Sequence, residues 1–437
     1  MRKAFSSALA LTLALATGSA LAAQDMPEAG LPSKADVLAA LDAHPTVEAA
    51  NARTDAARAD ARALSRGPHE FIVTGGYASR TVNDGTGVAN GRFDEFEAQV
   101  TRPIRLPGKA TLDRRIGAQG VTYAQNMAED ARHQTALLLA QSWWDWLGAA
   151  SEATVDRQAV ENYRAVLASV KRRAALRDAS ALEEDQANAA LGTAQAQAER
   201  SSGRETVARA RLFAQFPGFP LPAAAPDVPA PHIPDGGLAP MRQRILGRSH
   251  ELAAAEALVG RADAQAARAR KERTGDPSFG FRLFSEKGGM EKGGGVLFSM
   301  PFGGGYRSAL ADKAGAEASA AQADLQAVRR NIAETADADL ADAQTSYSAW
   351  QQARGALDAQ VAALQKTRRG QQLGEIGLSD VLLAERMVHE AFRTEATART
   401  DAMRALTKIR IDSHELWIGD DDDKEPAKPA EDQPPAN

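Results

Sequence analysis

A chain of 437 residues with a formal net charge of −5 has length for two or three compact domains, but its make-up argues against bulky globular cores. Aromatic residues are sparse at 5% and alanine is abundant, which favours closely packed helices. No basic stripe with interleaved aromatics occurs, which points away from nucleic acid, and the lack of cysteine excludes disulfides and a lipoprotein-type anchor.

In chain order, the first segment reads as an export signal. Arg2 and Lys3 precede an apolar run over Ala8–Ala16 and an A-x-A pattern at Ala20-Leu21-Ala22, so cleavage is expected after Ala22 or Ala23. No later stretch approaches the roughly 20 apolar residues of a membrane-spanning helix. Leu38–Leu64 reads as a helix interrupted near His44-Pro45, and Phe71–Ala78 as a strand. Loop residues follow from Asn83 to Gly91. Phe96, Ala98 and Val100 then alternate with Glu95, Glu97, Gln99 and Thr101, the pattern of a strand with one apolar face, which closes at Pro103.

From Lys109 to Arg173 run 65 residues without proline, about 100 Å if wholly helical. Trp143, Trp144 and Trp146 lie within it, and an aromatic run of this kind more often packs a core or girdles a tunnel than cages a ligand. Asp178-Ala179-Ser180 offers a turn and a new helix start, with a return helix towards Phe213. Eight prolines between Pro217 and Pro240 then mark an extended linker.

The order repeats beyond it. A helix is expected over Met241–Arg273, stopped by Asp276-Pro277. Phe279, Phe281 and Leu283 alternate with polar or small residues, Gly288-Gly289 and Gly293-Gly294-Gly295 read as loop, and Val296, Phe298 and Met300 alternate again. Leu325, Val328, Ile332, Ala336, Ala343, Tyr347 and Trp350 form the narrow seam of a coiled coil. Gly374–Gly377 breaks that helix, a last one runs to about Trp417, and an acidic, proline-rich tail that reads as disordered follows. Pro103 and Pro301, 198 residues apart, mark equivalent strand ends, so the chain is read as a tandem repeat. The expected organisation is a signal peptide (1–23), a first repeat (24–216), a proline-rich linker (217–240), a second repeat (241–418) and the tail (419–437).

Four strands cannot close a barrel, and an open sheet edge cannot sit in lipid, where each unpaired backbone group costs several kcal/mol. Two chains supply eight strands, enough for a filled barrel only; three supply twelve and an aqueous lumen. The alternative is a soluble β-hairpin capping a periplasmic coiled coil. On local pattern the two readings stand level; the export signal and the duplication favour the barrel.

Three stretches carry a family resemblance: Ala43-His44-Pro45-Thr46-Val47-Glu48, the passage Arg102-Pro103-Ile104-Arg105-Leu106-Pro107-Gly108-Lys109, and Ile376-Gly377-Leu378-Ser379-Asp380 followed by Val381-Leu382-Leu383-Ala384. From about Lys34 to Trp417 the chain resembles the TolC-like outer-membrane efflux factors. The resemblance implies a mostly α protein with long helical hairpins forming a periplasmic tunnel. It also implies a homotrimer whose four strands per chain build a 12-stranded barrel in outer-membrane lipid. It further implies a periplasmic adaptor, an inner-membrane pump, no catalysis and no cofactor. Leu106-Pro107-Gly108-Lys109 leans slightly to the metal-cation branch, with drug or small-molecule efflux the other cargo reading.

The same resemblance assigns the adaptor-docking tip to Ile376, Gly377, Leu378, Ser379 and Asp380, and by an offset of 197 to Ser180, Ala181, Leu182 and Glu183, where the glycine is missing. Gly377 suits a left-handed turn, Leu378 an exposed knob, and Ser379 or Asp380 a helix cap. An ordinary capped hairpin explains these residues as well. Asp178, Glu183, Glu184, Asp185, Glu375 and Asp380 gather acid near both tips, and around a threefold axis they would form a negative periplasmic aperture; acids at solvated helix starts are the plainer account. Arg172, Arg173, Arg368 and Arg369 are candidates to pair with them. His133 follows Glu129, and His389 follows Glu385, at helical spacing; surface pairing is favoured over metal ligation. No nucleophile–base set and no phosphate loop around Lys109 can be read. A soluble periplasmic coiled-coil adaptor or scaffold is the rival reading, but no many-stranded lipoyl-like domain lies between the helices.

Overall fold

The computed structural model describes residues 29–82 and 91–418; the expected export signal, the loop over 83–90 and the acidic tail lie outside the described residues. Eight α-helices and four strands are present among them. Helix α1 (Lys34–Asp42) starts at Ser33, whose hydroxyl accepts the Asp36 N–H. Helix α2 (Pro45–Arg66) begins with proline at its first position, where no backbone donor is needed, and ends at Gly67 with φ 71°. The break at His44-Pro45 therefore falls where the sequence puts it.

Strands β1 (Ile72–Val82) and β2 (Gly91–Pro103) lead into α3 (Lys109–Ala175), a single helix of 67 residues, and α4 (Ala181–Gln215) returns beside it. Residues 216–238 hold neither helix nor strand, yet Phe219, Val228 and Leu238 are buried, so this proline-rich segment is laid against the helices. The expected helix over Met241–Arg273 is two helices, α5 (Ala239–Gly247) and α6 (His250–Glu272), because Ser249 leaves helical geometry to accept the Leu252 N–H and cap α6. Strands β3 (Ser278–Glu286) and β4 (Glu291–Ser299) precede α7 (Gly305–Gln372) and α8 (Leu378–Asp412). Gly293-Gly294-Gly295, expected as loop, belongs to β4: pairing with Phe284, Leu283 and Arg282 overrides the low strand preference of glycine.

The element order helix, two strands, long helix and returning helix occurs twice. Helices α4 and α8 are both 35 residues long and start 197 residues apart. Helices α2 and α6 start 205 apart. Helices α3 and α7 start 196 apart, so nine residues fewer lie between the starts of α6 and α7 than between those of α2 and α3, where the first strand pair is the longer.

The helical pairs α3–α4 and α7–α8 are the long hairpins, and α8 also lies along α3. Their seams are mostly alanine with leucine and valine, small enough for the axes to approach closely. Leu325, Ile332, Ala336 and Ala343 of the expected α7 seam are buried. The largest core lies mid-length, where Trp143, Trp144, Trp146 and Leu147 meet Leu41, Phe216, Phe219 and Trp417. The Trp143 ring N–H donates to Gly30 O at 2.9 Å and that of Trp144 to Thr407 Oγ1 at 2.9 Å, so the cluster is packing. No helix of the described residues is long and apolar enough to cross a membrane.

Candidate functional site: the two-faced sheet and the hairpin tips

The four strands form one antiparallel sheet in the order β1-β2-β3-β4, with β2 and β3 joining the two repeats. Register separates its faces. One face carries the rows Val73-Val100-Phe281-Val296 and Tyr77-Phe96-Ser285, with Phe279 beside Phe298. The other carries Thr74-Gln99-Arg282 and Gly76-Glu97-Phe284. On this polar face Arg282 pairs with Glu97 at 2.8 Å and Arg80 with Glu95 at 2.6 Å. The apolar face is uncovered: Phe281 is 70% and Val296 73% exposed, in contiguity with Val73, Leu283 and Phe298. A patch of this kind on a water-facing sheet would be an aggregation hazard, so it calls for lipid or protein against it. The outer edges of β1 and β4 have no strand partner in the sheet.

At the opposite end, the two hairpins turn alike. In the first, Leu176 caps α3, Arg177 takes φ 59°, and the Asp178 N–H reaches Arg173 O at 2.9 Å. In the second, Leu373 caps α7, Gly374 takes φ 80°, and the Glu375 N–H reaches Gly370 O at 3.0 Å. The left-handed residue is therefore Gly374 and not Gly377, which is extended at φ −77° as the N-cap of α8. No side chain caps α8, so neither Ser379 nor Asp380 does so; the Ser379 hydroxyl is 3.4 Å from Gln186 Oε1. In the first tip Ser180 and Glu183 complete a reciprocal capping box.

Leu378 is not an exposed knob. It is 4% exposed and packs with Leu167, Val170 and Ala187 of the first repeat. At the tips Leu176, Leu182 and Leu373 are exposed, and so is Leu383 in the first turns of α8. Ile376 is half-buried and lies so close to Gly370 that a Cβ there would stand 2.5 Å from its Cδ1. Ala181, Ser379 and Asp380 are exposed.

Of the expected arginine pairs, only Arg173 engages tip acids, Asp178 at 3.1 Å and Glu183 at 3.4 Å. The Ser180 N–H, with Arg173, outweighs desolvation and holds the Glu183 carboxyl below its usual value. Arg368 instead meets Glu385 at 2.5 Å, a buried carboxylate about two turns into α8, and Arg369 donates to Gln372 at 3.2 Å. Glu184 sits 3.9 Å from Lys171, while Arg172, Asp185, Glu375 and Asp380 are exposed.

No family model matches the sequence, and no curated protein does. Solved structures do. A membrane protein from Pseudomonas aeruginosa superposes with a TM-score of 0.75 at 19% identity, over 87% of this chain and 93% of that one. The outer membrane protein VceC from Vibrio cholerae gives 0.70 at 16%, over 88% and 96%. The open state of the Neisseria gonorrhoeae MtrE outer membrane channel gives 0.69 at 15%, over 88% and 90%. The chain has the TolC-like outer-membrane channel fold.

Within this channel fold, buried ion pairs join the two repeats. At the junction of sheet and helices Lys109 is 1% exposed; its Nζ donates to Asp276 Oδ1 at 2.8 Å and Thr274 O at 2.8 Å and pairs with Glu272 at 3.0 Å. Burial works to raise the Asp276 carboxyl, but Lys109, the Leu106 N–H and His69 outweigh it and hold it low. Mid-length, His133 Nε2 lies 2.7 Å from Asp412 Oδ1, and Lys408 bridges Asp412 and Asp339. Burial, then the neighbouring Asp412, pushes the Asp339 carboxyl up to about 7, while His133 and Lys408 help hold Asp412 low against its own burial. Farther towards the tips His389 Nε2 lies 2.7 Å from Asp156 Oδ1. Neither histidine pairs with the glutamate one turn before it: both reach inward to the other repeat. Sequence reading missed these partners, which stand 279 and 233 residues away.

Proposed function

We propose that this chain is the outer-membrane channel of a tripartite efflux system. Three copies close their sheets into a 12-stranded barrel, β4 of one copy pairing β1 of the next, and their hairpins form a tunnel into the periplasm. The observation that supports this most is the two-faced sheet with open edges. Its apolar face suits lipid, and its polar face, with both charge signs in Arg282–Glu97 and Arg80–Glu95, suits a water-filled lumen. Trimerisation satisfies the edges that lipid would otherwise leave unpaired.

The tips are the proposed docking point for a periplasmic adaptor coupled to an inner-membrane pump. Exposed Leu176, Leu182 and Leu373 beside Ser180, Gly377 and Asp380 give that surface apolar knobs among polar residues. Asp178, Asp185, Glu375 and Asp380, repeated threefold, make the aperture negative. Cargo is proposed as small solutes, metal cations or drug-like molecules; in the Leu106-Pro107-Gly108-Lys109 stretch behind the lean to metals, Lys109 is buried. Purified protein reconstituted in planar bilayers tests the reading. Discrete conductance steps with cation preference are expected, and Asp185→Asn with Asp380→Asn reduces that preference. A protein that leaves bilayers silent and needs no detergent contradicts it.

A further inference from the structure

The polar face of the sheet holds a row that ends in glycine on both edges: Gly76 on β1, Glu97 on β2, Phe284 on β3 and Gly293 on β4. Glycine is a poor strand residue, and inside a strand it often marks a place where another group comes close. Here each glycine is half-buried under the side chain of its cross-strand partner. A Cβ on Gly76 would stand 2.7 Å from Glu97 Cγ, and one on Gly293 would run into Phe284 Cζ. By contrast, a Cβ on Gly295, on the same face two residues along β4, would meet nothing within 4 Å. Glu97 and Phe284 therefore lie along the sheet, each across a glycine.

Arg282 ties the two together. It pairs with Glu97 at 2.8 Å, and its guanidinium carbon lies over the Phe284 ring, 5.3 Å from the centre. The Phe284 ring is thus held between the Gly293 backbone and a guanidinium group. Aromatic cover of an edge glycine steadies a strand pair, which is reason enough for Gly293 alone. A carboxylate side chain across Gly76 gains no such packing. What the two glycines share is that they keep a large side chain down against the sheet.

We propose that this row sets the bore of the channel: Gly76 and Gly293 are recesses that hold Glu97 and Phe284 against the wall, so that three copies leave the lumen open at that level. The inference rests on the reading of the polar face as the inside of a three-chain barrel. Side chains alone fill the interior of an eight-stranded barrel, so in one of twelve strands the direction taken by three phenylalanine rings decides much of the opening.

The test is single-channel conductance of the full protein in planar bilayers, with polyethylene glycols of graded size as probes of the opening. Gly293→Ala, which adds one methyl group and no charge, is expected to lower conductance about twofold and to shut out glycols that the natural form admits. Gly295→Ala adds the same methyl to the same face and leaves both unchanged. Phe284→Ala combined with Gly293→Ala restores both. Should Gly293→Ala fail to assemble, Gly76→Ala carries the comparison, with the same losses expected from displacing Glu97. If the natural form conducts and the alanine variant at Gly293, or its stand-in at Gly76, matches it, the proposal is overturned and the channel reading stands. An equal loss in Gly295→Ala, or a loss that Phe284→Ala does not reverse, overturns it in the same way. Bilayers left silent by the natural form overturn both.

Discussion

His389 on α8 and Asp156 on α3 meet at 2.7 Å, and Asp156 has no exposed surface. The contact is repeated in reverse at His133 on α3 and Asp412 on α8. The spacing is 23 residues on each helix, about 35 Å, so two antiparallel helices from different repeats are pinned at both ends of a shared stretch. Between the pins Arg393 reaches Glu152 at 3.1 Å, and Arg204 of α4 joins the same carboxylate at 2.6 Å.

Removing one partner of such a buried pair leaves the other uncompensated. Asp156→Ala is expected to destabilise the chain by about 2–4 kcal/mol. Asp156→Ala and His389→Ala are expected to be non-additive in thermal melts followed by circular dichroism. Equal and additive losses would show that the pair contributes nothing of its own.

The junction at Lys109 is acid-sensitive. Asp276 and Glu272 are held below their ordinary values despite burial, by Lys109 among others. A depressed carboxylate stabilises the fold above its unfolded value, and the benefit is lost as pH falls through its folded one. Melting temperature should therefore drop as pH is lowered below about 4.5. Lys109→Met lowers stability at pH 7 and flattens that drop; an unchanged slope counts against the network.

Asp339 behaves in the opposite sense. Its carboxyl is pushed up to about 7 by burial and by Asp412. A raised value gives stability that is complete below the unfolded value, near 4, and is lost as pH rises to about 7. Asp339→Asn should remove this contribution, which is read by comparing the two melting curves across pH 4–8. Parallel curves for the two forms would exclude it.

The tips differ at the left-handed position, arginine in the first and glycine in the second. Arg177 takes a left-handed conformation that its equivalent Gly374 adopts freely. Arg177→Gly should stabilise the first tip by about 0.5–1 kcal/mol, and Gly374→Ala should weaken the second by about 1 kcal/mol. Hydrogen exchange at 176–179 and 373–376 reads both, and effects of the reverse sign would refute the assignment of the left-handed position.

Much of this was legible in the sequence because it is local and periodic. Alternation at Phe96–Val100 and Phe279–Leu283, the proline-free runs and the offset of 197 are all visible along the chain. The sequence reading took Gly377 as the left-handed residue, whereas φ 80° at Gly374 and the hydrogen bond from Glu375 N–H to Gly370 O put the turn three residues earlier. Leu378 was misread as a knob because its neighbours, Leu167 and Val170, belong to the other repeat. His133 and His389 each had a glutamate one turn back in sequence, while their actual partners are brought close only by the pairing of α3 with α8. Gly293–Gly295 read as loop because the three residues lack side chains, though their backbone completes a ladder with β3.

The central claim is that each chain lends four strands to a cylinder shared by three. Native mass measurement of detergent-extracted protein, with unheated and heated gel lanes beside it, tests this most directly. A particle of three chains that dissociates only on heating is the predicted result. A single chain that stays in solution without detergent would contradict it.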